Sequence, residues 1–213
     1  MLRTFPDYRH ASWGYLNLNQ VAQEWLREHN IGPDEPNPLL DPACCAAMVR
    51  AAHITRHLDC SYGGWLENRR NLWRGSYLDA QGTYTHLGVD FSVPAGTRVV
   101  ASHAAHVILV DSDVPEEGGW GTRIILRPHD RRVPLLIYAH LDPGTALQTG
   151  SIVKPGDELA RVGEPPVNGG WWSHLHVQCV MADPNVLTLD GYGHERDIAR
   201  WSGICPDPLP YLT

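Results

Sequence analysis

Histidine and aspartate side chains occur in the second half of the sequence at spacings that can bind a metal ion. His86 and Asp90 are four residues apart, His140 follows an apolar segment, and one residue separates His174 from His176. Neutral imidazole and carboxylate groups are zinc ligands, and a catalytic zinc site combines three protein ligands with one water. These five side chains are enough for such a site and leave two imidazoles for proton transfer.

The spacing of each pair decides how a strand can use it. Residues i and i+2 of a strand face the same side, so His174 and His176 can both point into one site. On a straight strand His86 and Asp90 would lie about 13 Å apart, too far to share one ion. Gly88, between them, permits a bulge or a turn that brings both to one point. Spacing alone leaves open whether one or both histidines of the second pair bind metal.

The order of these motifs resembles that of the lysostaphin/LytM-type zinc metallopeptidases, which cut peptide bonds of bacterial cell-wall cross-links. The similarity covers roughly residues 70 to 182. It is carried by His86-x-x-x-Asp90, Tyr138-Ala-His140-Leu and His174-Leu-His176, together with Leu87 to Thr97 and Val153-Lys-Pro-Gly-Asp157.

The resemblance implies a function and a set of roles. Zinc would be bound by His86, Asp90 and His176, and the substrate would be a peptide or peptidoglycan cross-link. Zinc lowers the pKa of its water to about 7 and polarises the scissile carbonyl. His140 and His174 would be catalytic. We expect His174 to take the proton of the water and His140 to stabilise the oxyanion or assist the leaving amine, although the sequence does not fix this order.

The chain departs from the family pattern around the last motif. Ser173 replaces a proline and Val177-Gln178 replaces a pair of an aromatic and an acidic residue. Trp171 and Trp172 precede the motif and would form a substrate wall or narrow the groove. We expect five other tryptophans to be packing residues: Trp25, Trp65, Trp73, Trp120 and Trp201.

Three further segments resemble one branch of the family. In that branch the domain lacks a signal peptide and lies between a kinase-like phosphotransferase and a pyridoxal-phosphate aminotransferase. The segments are Glu67 to Asp79, Asn168-Gly-Gly-Trp171 and Cys205-Pro-Asp-Pro208.

Other interpretations of the same residues stay open. The histidines could be ordinary surface or capping residues, or the site could be a non-catalytic or small-molecule-binding zinc module of a larger cytosolic enzyme. A further hypothesis is latency, with Asn68 or Asn71 as a fourth zinc ligand.

The elements that must position these residues are strands, preceded by helices. Apolar residues from Leu18 to Leu26 follow a helical period, and a second helix is predicted to begin with Asp41 as its N-cap and to run to the Gly63-Gly64 break. After Gly82, short β-branched runs alternate with Gly, Pro and Asp. The predicted strands are Val89–Val93, Arg98–Ser102, His106–Asp111, Arg123–Arg127, Val133–His140, Glu158–Val162 and His174–Val180.

We therefore predict an α+β fold that is mainly antiparallel β, a lysostaphin-like sheet with an N-terminal two-helix appendage. The predicted divisions are a helical segment at 1–69, the metallopeptidase domain at 70–182, and a C-terminal extension at 183–213 that packs on the domain.

Composition limits the class of protein and its partners. The 213 residues include 17 Lys plus Arg and 24 Asp plus Glu, a formal net charge of -7. An apolar fraction of 43% with 19% charged residues is typical of a folded protein. An acidic balance without a basic cluster argues against a nucleic acid or an anionic membrane as the main partner. The sequence does not indicate an oligomeric state.

The beginning of the sequence bears on localisation. Positions 1–20 contain Arg3, Asp7 and Arg9 and no apolar run of about 7–15 residues, and no stretch of about 18 apolar residues occurs anywhere. We therefore expect no signal peptide, no membrane span and a cytoplasmic protein, or an extracytoplasmic one if it is exported or released by another route.

Overall fold

The structure is a computed structural model that describes residues 3–113, 118–181 and 186–212. The strands are β1 (Trp13–Tyr15), β2 (Cys60–Gly63), β3 (Thr85–His86), β4 (Val89–Ser92), β5 (Arg98–Val100), β6 (Ala105–Ser112), β7 (Thr122–Pro128), β8 (Leu135–Leu141), β9 (Ile152–Val153), β10 (Glu158–Arg161), β11 (Leu175–Val180) and β12 (Tyr192–Gly193). The α-helices are α1 (Leu18–Glu28), α2 (Pro42–Arg56), α3 (Arg70–Trp73), α4 (Tyr77–Gln81) and α5 (Ile198–Ile204). Short 3-10 helices cover Pro6–Tyr8, Pro38–Leu40, Val186–Thr188, Glu195–Asp197 and Leu209–Tyr211.

The largest sheet among the described residues has eight strands, in the order β1-β2-β4-β11-β8-β7-β6-β9. Every pairing in it is antiparallel except that of β1 with β2. Two small sheets, β10-β5 and β12-β3, accompany it. The predicted mainly antiparallel β fold is confirmed, and each of the seven predicted strands is present with ends shifted by at most two residues.

The N-terminal segment contains both predicted helices and also joins the sheet. Asn17 caps α1 and Asp41 caps α2, each accepting a hydrogen bond from a backbone N–H of the first turn. The second helix ends earlier than predicted, because His57 adopts a left-handed backbone (φ 53°) and the chain then enters β2. The prediction that this helix continues to Gly63 is wrong.

The core of the molecule has two main parts. One packs the large sheet against the β10-β5 ribbon and includes Phe91, Val99, Tyr138 and Leu159. The other packs α1 and α2 together and extends to the loop before β11, where Trp172 is buried. The helices thereby cover the end of the sheet that carries the histidine motifs.

The C-terminal segment forms backbone hydrogen bonds with earlier parts of the chain. Strand β12 pairs with β3, and the backbone N–H of Met181 donates to the carbonyl of Ile204 in α5, a short helix that the sequence did not predict. The division of the chain at residues 69 and 182 stays a prediction. The large sheet includes strands from both sides of residue 69, because β1 and β2 precede it and the other strands follow it. Within the described residues, the helices are all too short or too polar to cross a membrane.

Candidate metal centre

The His86–Asp90 pair is brought together by a change of sheet. Strand β3 ends at His86 and β4 begins at Val89, so the chain passes from one sheet to another within two residues. As a result His86 Nε2 lies 3.3 Å from Asp90 Oδ1 instead of the distance of a straight strand. Gly88 is required at this crossing, because a Cβ there would lie 2.6 Å from both His176 Cε1 and the Val177 carbonyl oxygen.

His176 completes a cluster of three donor atoms. It lies opposite Asp90 in the β11–β4 pairing, and its Nδ1 is 3.0 Å from Asp90 Oδ1 and 2.9 Å from His86 Nε2. Zinc with four ligands at about 2.0–2.1 Å requires neighbouring donor atoms to be roughly 3.3 Å apart. The three side chains are 1–2% exposed, and the shape and chemistry of the cluster fit zinc.

Hydrogen bonds fix which nitrogen of each ligand ring faces the cluster. His86 Nδ1 donates to the Gly64 carbonyl oxygen at 3.1 Å, which leaves Nε2 as the acceptor. His176 Nε2 donates to Gln178 Oε1 at 3.1 Å, and the Gln178 amide group is oriented because its Nε2 donates to the Asp190 carbonyl. Such outer contacts select the tautomer that binds metal. Gln178, a departure from the family pattern, therefore orients a ligand.

A bulge in β8 turns His140 into the same site. Between two pairs with β7, β8 advances three residues, from Tyr138 to Leu141, while β7 advances two. Tyr138 and Leu141 both face the main core, so Ala139 and His140 lie between them and His140 adopts φ 63°. Without this extra residue, alternation would place His140 on the core face with Tyr138.

His140 and His174 are neutral bases held by their backbone contacts. His140 Nδ1 donates to the Asn168 carbonyl at 2.9 Å, and His174 Nδ1 donates to the Trp172 carbonyl at 2.7 Å. The His174 ring also stacks on Trp172, with centroids 3.9 Å apart, and its Nε2 lies 3.6 Å from Asp90 Oδ1. Since a carbonyl only accepts, Nδ1 carries the proton in both rings and Nε2 is the free base.

Burial sets the charge states of the cluster. It lowers the pKa of His86 to about 3 and that of His174 to about 4, and it holds the pKa of His140 well below its usual value. Burial alone would raise the pKa of Asp90, but His86 and the Arg69 guanidinium keep it well below its usual value. At neutral pH His86, His140 and His174 are therefore neutral and Asp90 is a carboxylate, the states that bind a cation.

A cavity of about 410 Å³ opens over these residues. Its walls include Trp73 from α3, Tyr77 from α4, Trp171 from the loop before β11, and Trp120, whose ring meets the His176 ring edge-on at 5.4 Å. Trp171 and Trp172 both line the cavity, and Trp172 also stacks on the His174 ring. Trp73 and Trp120 pack against the core as predicted, and both also line the cavity.

The structure brings together all five predicted site residues and adds one that sequence reasoning missed. Arg69 is fully buried, and its Nη1 donates to Asp90 Oδ2. Asn68 and Asn71, the hypothetical fourth ligands, are not in the cavity wall: Asn68 Nδ2 donates to Glu195, and the Asn71 side chain faces a different groove. In the sequence, Arg69 is part of the Glu67 to Asp79 segment, which resembles one branch of the family, and this resemblance could have indicated it.

Comparisons with known proteins match the part of the chain that carries these five residues. Residues 84–186 match the model of peptidase family M23. An uncharacterized metalloprotease of Haemophilus influenzae is 34% identical over 93 residues, which are 44% of this chain and 18% of that protein. The chain therefore matches less than a fifth of the length of that relative.

Two solved structures are also similar to this chain. The catalytic domain of lysostaphin from Staphylococcus simulans is 25% identical, with 61% of this chain and 80% of that chain covered and a TM-score of 0.43. LytU is 23% identical, with 62% and 86% covered and a TM-score of 0.40. The predicted neighbouring phosphotransferase and aminotransferase domains stay a prediction. The family match over residues 84–186 confirms the resemblance inferred from the motifs, and this segment is similar to the domains of peptidase family M23.

Proposed function

We propose that this protein is a zinc-dependent metalloendopeptidase that hydrolyses a peptide bond, with a peptidoglycan cross-link peptide as the substrate. One observation carries the proposal: the donor atoms of His86, Asp90 and His176 lie within 4.8 Å of one another, and two further imidazoles face the same cavity. A purely structural metal site would have no use for these two free bases.

Zinc, when bound by His86, Asp90 and His176, would supply a water of lowered pKa and polarise the scissile carbonyl. His174 is the proton acceptor in this proposal, because its Nε2 is unprotonated and lies closest to the ligand cluster, 3.6 Å from Asp90 Oδ1. The same imidazole can then return the proton to the leaving amine.

His140 lies next to His174 in the wall of the same cavity, with ring centroids 4.5 Å apart. A neutral His140 has no Nε2 proton to donate to an oxyanion, because its single proton is on Nδ1. Stabilisation of the oxyanion therefore requires a protonated His140 in the reacting complex, and the negative charge that develops there favours this state.

The similarity to peptidase family M23 supports a peptidoglycan substrate. The aromatic side chains in the cavity wall limit the directions from which a peptide can enter. The alternative of a non-catalytic zinc module is less well supported, because it assigns no role to the bulge that turns His140 into the site. The protein's place inside or outside the cell is part of the same proposal, since a wall substrate requires release or export.

The test compares wild type with His140→Ala and with His129→Ala, an exposed histidine outside the cavity wall. Zinc content is measured by atomic spectroscopy, and cleavage is measured by chromatography of peptidoglycan fragments with several cross-link types. We expect His140→Ala to keep its zinc and lose cleavage, and His129→Ala to keep both. A zinc-loaded wild type that cleaves none of the cross-links would overturn the proposal.

A further inference from the structure

The buried arginine next to the ligand cluster belongs to a segment that precedes the family match. We infer that Arg69 is a positioning residue that holds one oxygen of Asp90, so that Asp90 binds the metal through its other oxygen only. This inference rests on the metal site proposed above and concerns the number of ligands that the site offers.

The carboxylate of Asp90 is divided between two sets of partners. Oδ1 faces the histidines, at 3.0 Å from His176 Nδ1 and 3.3 Å from His86 Nε2. Oδ2 accepts a hydrogen bond from Arg69 Nη1. Because the two oxygens of one carboxylate are rigidly linked, holding Oδ2 on the guanidinium keeps Oδ1 aimed at the metal position.

Arg69 is itself fixed from several sides. Its Nε lies 3.5 Å from Glu67 Oε1, and its Nη1 lies 3.4 Å from the Tyr192 hydroxyl. Glu67 Oε1 also accepts the backbone N–H of Asn19 in the first turn of α1, at 2.9 Å. A Cβ at Gly64 would lie 2.0 Å from Arg69 Nη2, so the guanidinium fills the space beside that glycine.

A buried guanidinium with carboxylates on either side is expensive to desolvate and is a weak means of stabilising a fold. The position of Arg69 instead affects how Asp90 can bind the metal. An aspartate that binds through both oxygens would occupy an additional coordination position, whereas one that binds through Oδ1 alone leaves it for water or substrate. Arg69 thereby links the N-terminal segment to the reactivity of residues 84–186.

The experiment uses cobalt(II) in place of zinc in the full chain, because cobalt reports its coordination number through visible absorption. Four-coordinate cobalt absorbs more strongly than five-coordinate cobalt. The variants are Arg69→Met, which frees Oδ2, and Arg69→Lys, which keeps the charge but loses the fork of donors. Arg123→Met is the control, since Arg123 is itself buried and pairs with an aspartate, the partly exposed Asp111, and it lines the same cavity without contacting Asp90.

We expect a four-coordinate spectrum for wild type and Arg123→Met, a weaker five-coordinate spectrum for Arg69→Met, and an intermediate spectrum for Arg69→Lys. Zinc affinity, measured by chelator competition, should fall about 10- to 100-fold in Arg69→Met and less in Arg69→Lys. Circular dichroism identifies a variant that does not fold. If Arg69→Met does not fold, the cobalt spectrum and zinc affinity of Arg69→Lys are compared with those of wild type instead.

Folded Arg69 variants that keep the wild-type spectrum and zinc affinity would overturn the inference and leave the proposed peptidase intact. A wild type that binds neither cobalt nor zinc would overturn the metal site itself. The two failures are therefore distinguishable.

Discussion

Gly88 allows the geometry of the metal centre to be tested with one methyl group. In Gly88→Ala the added Cβ would lie 2.6 Å from His176 Cε1 and from the Val177 carbonyl oxygen, and 2.7 Å from His176 Nε2. Non-bonded carbon contacts are most favourable at about 3.5–4.0 Å. The ligand ring and the backbone of β11 must therefore move away from Gly88 by about 1 Å.

Neither group can move freely. Val177 lies in β11, which is paired on both sides, with β4 and with β8. The His176 ring is held by Gln178 and by the other ligands. Overpacking of this kind costs about 1–3 kcal/mol, and in a chain of this length each kcal/mol lowers Tm by about 2–4 °C. We expect a fall in Tm of about 2–12 °C without metal.

The effect on metal binding should be larger than the effect on folding. A functional constellation tolerates displacements of about 0.5 Å, so a ligand shift of about 1 Å should weaken zinc binding at least about tenfold. Gly203→Ala is the matched control, because a Cβ there meets no atom within 4 Å and the residue lies in α5. It should keep zinc affinity and gain about 0.4–1 kcal/mol.

The assays are thermal unfolding in the presence of a chelator and zinc competition with a chromogenic chelator. A Gly88→Ala protein with the zinc affinity and Tm of wild type would refute the proposed convergence of β4 and β11 on one ion. Equal losses in both glycine variants would show that the effect is not local to the site.

Three other predictions follow from the same contacts. Asp90→Asn should reduce the zinc-to-protein ratio and, by removing the carboxylate charge that Arg69 Nη1 contacts, lower the unfolding free energy in chelator by about 3–5 kcal/mol; an unchanged zinc ratio would remove Asp90 from the ligand set. Urea unfolding in chelator should show stability falling from pH 7 to pH 5. The reason is that His86, His140 and His174 have lowered pKa values in the fold, so the unfolded chain binds more protons below pH about 6.5, and each can cost up to about 2 kcal/mol by pH 5; a flat profile would contradict their neutral burial. Trp172→Ala should cost about 3–5 kcal/mol and reduce kcat more than zinc content, because Trp172 supports the His174 ring; a change in stability alone would contradict this role.

The strands that carry the site could be predicted from local patterns. Runs of β-branched residues between Gly, Pro and Asp placed β4, β8 and β11 within two residues of their observed ends. The i, i+2 rule likewise placed His174 and His176 on one side. These predictions succeed because they depend on alternation along one strand and on turn residues next to it.

Other features depend on contacts between distant segments and had no local pattern. Strand β2 follows a helix without a Pro or an alternating run, and it is a strand because it lies beside β4. Periodicity assigns His140 to the core face, and only its pairing with β7 reveals the extra residue in β8. No local pattern predicts that Arg69 is buried. Charged residues are seldom fully buried unless they are paired, and the partner of Arg69, Asp90, lies 21 positions away in the sequence.

Several of these features cost free energy in the protein without metal. His140 adopts a left-handed backbone although it is not glycine, Arg69 is a fully buried cation, and three imidazoles are kept neutral by burial. All of them surround one cluster of donor atoms. A ligand that binds only the folded state stabilises it by about 4 kcal/mol when its concentration is about 1,000 times its Kd. Zinc can therefore offset much of the cost that is concentrated here, and the residues that make the site reactive are the ones that should make the metal-free fold less stable.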